Sequence, residues 1–141
     1  MKNKKLVPAI THNSRCLYYT QRMLALRDAM ELLSGKWKVP IICTLSFRGK
    51  MRFTDLIQEV EGIAAKMLSK ELQILEANEL VTRTVCNTKP VTVEYEITEY
   101  GRTLDKILVD IVNWGHAHRN RIMPGQASKS IIALPLPSGV V

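Results

Sequence analysis

The hydrophobic period changes along the chain, and each change marks an element. Met23, Leu26, Met30 and Leu33 recur at spacings of three and four, which predicts a helix over 23–33 that Ser34-Gly35 ends. A second helix follows Trp37, with Ile41, Ile42 and Leu45 as core and Cys43 among them as a small buried hydrophobe. Pro40 sits near its start, so 36–40 reads as a first turn or a kink. "RGKMRF" is a basic turn into a short extended piece, after which Thr54 can cap a helix through Val60 with Asp55 near its positive end. Gly62 closes that helix. Over the next stretch Leu68, Leu72 and Leu75 share one helical face, while Lys66, Ser69, Lys70, Gln73 and Ala77 fall opposite, at about 100° per residue. From Val81 the period becomes two: Val81, Arg83 and Val85 alternate with Thr82, Thr84 and Cys86, and Val93, Tyr95 and Ile97 with Glu94, Glu96 and Thr98. "NTKPVT" between them is a turn, and a last helix is expected from about Thr98 to Ile122.

The fold class is therefore α+β and mainly helical. A helix with an outward stripe of small, polar and cationic groups, directly followed by a β-hairpin, can enter a DNA major groove while the hairpin tip reaches adjacent backbone or minor groove. An ordinary α+β scaffold is the alternative. On the last helix Leu104, Ile107, Leu108, Ile111 and Gly115 form one stripe flanked by Val112 and Trp114, more apolar surface than a small domain leaves exposed. A second copy of the chain can cover it, and packing within one protomer can absorb part. Past Met123 the proline-broken "PGQASKSIIALPLPSGVV" has no period, yet "SIIALPL" is apolar enough to dock on the body or on a partner.

Composition narrows the partner. The 141 residues make one domain, and a 46% hydrophobic content is enough for a core. No stretch is apolar enough to span a bilayer, and "MKNKK" is followed by no long apolar run, so the expectation is a cytoplasmic protein away from membranes. The net charge of +7 is concentrated: Lys2 to Arg27 carries cations and no acid, as does Lys36 to Arg52. Nucleic acid is the polyanion such segments suit, against the plainer reading of a basic surface kept for solubility. Cys16, Cys43 and Cys86 are too scattered for a disulfide scaffold or a zinc site, and reduced thiols are expected. His116 and His118, two apart on a helix, point in opposing directions and make a poor metal pair. With no phosphate loop, nucleophile elbow or paired carboxylates in view, neither catalysis, cofactor nor metal is expected.

In that order, "LLSGKWK", "MRFTDL", "GIAAKMLSKELQILEANELV", "VEYEITEYGR" and "NWG" resemble the HxlR-type winged-helix transcriptional regulators of bacteria, relatives of the MarR class, over about Leu24 to Gly115. The resemblance implies a winged helix-turn-helix with extra N- and C-terminal dimerisation helices, a homodimer on double-stranded operator DNA, and, as in many members, response to a reactive small-molecule effector. It divides the chain into a basic N-terminal segment (1–22), a DNA-binding domain with its dimerisation helix (23–123) and a C-terminal tail (124–141). Ala64 to Asn78 would be the recognition helix and Asn87 to Thr92 the wing tip. Lys66, Ser69, Lys70 and Gln73 are then expected at base edges or phosphates, Lys50, Arg52, Arg83 and Lys89 on backbone, and Leu104, Ile107, Leu108, Ile111 and Trp114 in the dimer. Where the family usually has Ser-Pro at the recognition-helix start, this chain has Ala64-Ala65. Its usual glycine at the helix end is Glu79 here, which leaves Asn78 for a left-handed turn. Its frequent N-terminal sensor cysteine aligns with Leu24. Cys16, among Arg15, Arg22 and His12, is a candidate thiol sensor in its place, because cations lower a thiol's pKa; otherwise it is an incidental thiol. Cys86, near the wing, is a weaker second candidate. The rival to a DNA-binding regulator is a winged-helix protein-interaction module whose stripe meets an acidic protein surface.

Overall fold

The computed structural model describes residues 12–123, as one unit ending at Gly35 and a second beginning at Lys36. The first unit is a single helix, α1 (His12–Leu33), which begins well before the Met23 expected from periodicity. Residues 12–22 carry tyrosines and polar groups without helical spacing, so periodicity could not reveal them. The helix stops where the Ser34 amide bonds the Glu31 carbonyl at 3.2 Å and Gly35 takes φ +92°.

In the second unit the order is α2 (Lys38–Arg48), β1 (Met51–Arg52), α3 (Phe53–Glu59), α4 (Ala65–Ala77), β2 (Val81–Cys86), β3 (Thr92–Ile97), α5 (Glu99–Arg102) and α6 (Leu104–Ile122). The strands form an antiparallel sheet in the order β1-β3-β2. Pro40 lies in the first turn of α2, where an amide would have no intrahelical acceptor, so it costs the helix no hydrogen bond. Ile41, Ile42 and Leu45 from α2, Leu56 from α3, and Leu68, Leu72 and Leu75 from α4 are fully buried or nearly so, with Leu80, Val81, Tyr95 and Ile97 closing the core on the sheet side. Burying each such side chain is worth about 1.5–3 kcal/mol.

Three local expectations are corrected. Thr54 does not cap α3: β1 runs straight into the helix, extended Arg52 occupies the cap position without a side-chain bond, and Thr54 falls inside the first turn with Asp55. The last helix is two, a short α5 and then α6, with Thr103 between them. The left-handed turn after α4 falls on Glu79, at φ +60°, while Asn78 stays at φ −93°.

That last turn explains how the helix hands over to the hairpin. The Leu80 amide bonds the Leu75 carbonyl at 3.0 Å and the Glu79 amide bonds Glu76 at 2.9 Å, the pair that defines a Schellman ending with Glu79 at its left-handed position. Leu80 and Leu75 are both buried beneath it. Thr98 then ties this corner to α5. Its hydroxyl donates to the Glu79 carbonyl at 2.6 Å and accepts from the Gly101 amide at 2.8 Å, while its own amide bonds Leu80 at 3.0 Å. Gly101 is where the two pieces of backbone meet: a Cβ there would overlap the Leu80 carbonyl oxygen and stand 2.7 Å from Ile97 Cγ1.

Candidate nucleic-acid interface

α4 starts from Ala64, which is extended and has no side chain to bond the free amides, so packing of its buried leucines holds the first turn. With Leu68, Leu72 and Leu75 inward, Lys66, Lys70 and Gln73 are exposed and Ser69 half-exposed on the other side. These four line one shallow, open depression together with Ala64 and Met67. The four expected groove residues are thus brought together. Met67 is the member that sequence reasoning missed. It lies between the buried and outward faces at about 100° per residue, and its 37% exposure is what assigns it outward.

Glu71 would place a carboxylate beside this surface if it pointed out. It points in: its side chain is 14% exposed and meets Lys38 of α2, itself 13% exposed, at 4.0 Å. The ion pair joins the start of α2 to the middle of α4 and keeps this carboxylate out of the depression, which no acid lines. Next to it Lys36 stands over the Trp37 ring at 4.5 Å, and a Cβ at Gly62 would be in ordinary contact with that ring.

The other expected backbone contacts are more dispersed. Arg83 is exposed on β2 in register with Tyr95, and Lys89 is exposed in the loop between the strands, which spans 87–91. Arg52 is exposed on β1 in register with Glu94, and Lys50 reaches Glu96 at 3.6 Å with both side chains about half exposed. Lys50 and Arg52 therefore stand beside acids of β3, and a phosphate would have to compete with them. The hairpin tip is organised by Thr88, whose hydroxyl donates to the Pro90 carbonyl at 2.8 Å and lies 3.0 Å from the Thr92 hydroxyl. Val85 and Val91 are exposed nearby.

On α6, Ile107, Ile111 and Trp114 are more than half exposed, with Val112, Ile122 and Met123 also outward. Leu108 is 7% exposed and Leu104 half-buried, so these two are turned toward the protomer's own fold and only part of the expected stripe is available to a partner. The Trp114 ring stacks on His118 at 4.9 Å. α1 also exposes Leu17, Tyr18, Tyr19, Leu26 and Met30.

Cys16 is exposed on α1, and its carbonyl accepts from the Thr20 hydroxyl at 2.9 Å. Arg22 lies over the Tyr18 ring at 5.0 Å, and the His12 side chain falls outside the described residues. Cys86 is half-buried at the end of β2. Cys43 has its pKa raised, first by burial and then by the negative charge of Asp105, whose carboxylate accepts from Ser46 Oγ at 2.8 Å. No cluster of three or more metal-ligating side chains occurs among the described residues, and none of the helices searched there is long and apolar enough to cross a membrane. The tail expected to dock lies outside the described residues.

The family model described as HxlR-like helix-turn-helix matches residues 32–123. The chain belongs to that family. Among HxlR-like relatives, the HTH-type transcriptional regulator YtcD of Bacillus subtilis (strain 168) is 40% identical over 99 residues, 70% of this chain and 78% of YtcD. The crystal structure of an HTH-type regulator ytcD superposes with a TM-score of 0.62 at 41% identity, covering 68% of this chain and 97% of that one. The reduced form of the redox regulator HypR gives 0.63 at 33% identity over 70% and 96%, and reduced YodB from B. subtilis 0.62 at 33% over 72% and 95%. The protein is accordingly a helix-turn-helix transcriptional regulator of winged-helix fold, and its relatives are named transcriptional regulators.

Proposed function

We propose that the protein is a cytoplasmic homodimer that binds an inverted-repeat operator in double-stranded DNA, with α4 of each protomer in a major groove. The observation that carries the reading is the outward face of α4: Lys66, Ser69, Lys70 and Gln73 share one open surface, and Glu71 is withdrawn from it onto Lys38. Gln73 can pair with adenine, and the lysines with guanine or phosphate. Arg83 and Lys89 grip backbone, joined by Lys50 and Arg52 where phosphate displaces their carboxylate neighbours. The exposed Ile107, Ile111 and Trp114 supply an apolar face that a two-fold axis lets the same face of a second copy cover. Recognition helices about 34–36 Å apart then place half-sites about one helical turn from each other.

The same proposal includes response to a reactive small molecule. Its support is likeness to HypR, named a redox regulator, and to YodB, which has been crystallised after diamide treatment. Cys16, exposed on α1, is the candidate thiol.

The test is sedimentation of the parent and of Ile111→Asp, followed by binding to full and half operators. A dimeric parent, and a variant that is monomeric and loses the full-operator advantage, are expected, since a buried unpaired charge costs several kcal/mol. A parent monomeric at micromolar concentration, or a variant that remains dimeric and binds unimpaired, would overturn the dimer. DNA binding should weaken with salt along a slope set by the phosphates contacted. A salt-independent complex would favour the protein-interaction reading.

A further inference from the structure

Ala64 and Met67 stand apart from the polar groups that share their surface. They are three residues apart on the same ridge, at the N-terminal end of α4, and with Lys66, Ser69, Lys70 and Gln73 they line the outward depression. An exposed methionine gains nothing from water, and Ala64 offers no hydroxyl to a phosphate. One turn beyond Met67 the carboxylate of Glu71 is folded away onto Lys38, and no acid lines the depression. The leading end of the helix thus presents Ala64 and Met67 beside Lys66, while Lys70 and Gln73 lie further along.

Among the groups that base pairs display in the major groove, the thymine C5-methyl is the apolar one. Methionine is unbranched, flexible and polarisable, and can settle against a methyl without a fixed donor geometry. We infer that Met67, backed by Ala64, reads the 5-methyl group of a thymine in each half-site, which makes it a specificity-determining residue of the operator interface. The inference rests on the proposal that α4 enters the major groove. It assigns the apolar end of the helix to thymine and leaves guanine, adenine or phosphate to Lys66, Lys70 and Gln73.

The experiment is selection of duplexes from a randomised pool by the full-length protein, then replacement of each thymine of the selected site by deoxyuridine, which removes the methyl and keeps the pairing. For the parent, one position in each half-site should weaken binding about fourfold per methyl, the value of one buried methylene-sized group. Met67→Ala should bind the thymine site less tightly and show no further loss with deoxyuridine, whereas Met67→Leu should keep the sensitivity. Equal urea midpoints for the three proteins separate a contact effect from unfolding. A selected site indifferent to every thymine methyl, or one whose sensitivity survives Met67→Ala, overturns the inference and leaves DNA binding by α4 standing. Failure to enrich any site overturns the DNA-binding proposal, and this inference with it.

Discussion

Gly101→Ala tests the corner that connects the putting-away of α4 with the hairpin and α5. The added methyl would overlap the Leu80 carbonyl oxygen, approach Leu80 C at 3.2 Å and stand 2.7 Å from Ile97 Cγ1, where carbon atoms pack best at about 3.5–4.0 Å. Two of these three atoms are backbone, fixed by the Leu80 amide's bond to Leu75, and Ile97 is buried. α5 must therefore retreat by about 1 Å. That movement lengthens the 3.0 Å bond from the Thr98 amide to Leu80 and disturbs the Thr98 bridge between Glu79 and Gly101. Overpacking costs about 1–3 kcal/mol and each weakened neutral bond up to about 1 kcal/mol, against a helix-propensity gain of about 0.5–1 kcal/mol for alanine. The expected net loss is about 2–4 kcal/mol, read as a lower urea midpoint at unchanged slope and fixed protein concentration. Glu79→Gly on the other side of the corner should act in the opposite sense, gaining about 1 kcal/mol, because a left-handed φ strains a residue with a Cβ. A Gly101→Ala protein within about 0.5 kcal/mol of the parent would refute the close approach.

Lys38→Met should destabilise the second unit by about 1–3 kcal/mol by leaving Glu71 nearly buried without its cation, and Lys38→Met with Glu71→Gln should recover most of the loss in the same urea titration. Full stability of the single variant would mean that the pair holds nothing together. Cys43 should alkylate with iodoacetamide more slowly than exposed Cys16 near neutral pH, as mass spectrometry can follow, because burial and the Asp105 charge keep its thiolate fraction low. A raised thiol pKa also means that Cys43 favours the folded state at neutral pH. That contribution fades as pH rises from the ordinary thiol value toward the raised one, since the unfolded chain ionises first; Cys43→Ala should flatten this alkaline loss.

Where a side chain's position follows from its own segment, the sequence already told it. The buried leucines of α4, the inward Tyr95 and Ile97 of β3, and the outward group of Lys66, Ser69, Lys70 and Gln73 all follow from a single period, whereas in β2 only Val81 is buried and Val85 is exposed. What depends on a neighbouring element did not show. Glu71 lies off the outward stripe by periodicity, but only the packing of α2 on α4 brings Lys38 to it. Thr54 has the chemistry of a cap, yet strand pairing of Met51 and Arg52 with β3 starts the helix two residues early. Asn78 tolerates a left-handed φ better than glutamate does, but the bonds from Leu80 to Leu75 and from Glu79 to Glu76 fix the turn at residue 79. Leu108 shares a stripe with Ile107 and Ile111, and only the fold tells which of them is already covered.

The central claim is that the outward face of α4 reads base sequence. Its most direct measurement is the affinity of the parent, Lys70→Ala and Gln73→Ala for a selected operator and for a random duplex of the same length, at one salt concentration. The account predicts that each variant loses about 1–3 kcal/mol on the operator and distinctly less on random DNA, because base-edge contacts exist only where the sequence matches. Equal losses on the two duplexes would contradict it and reassign both residues to phosphate contacts.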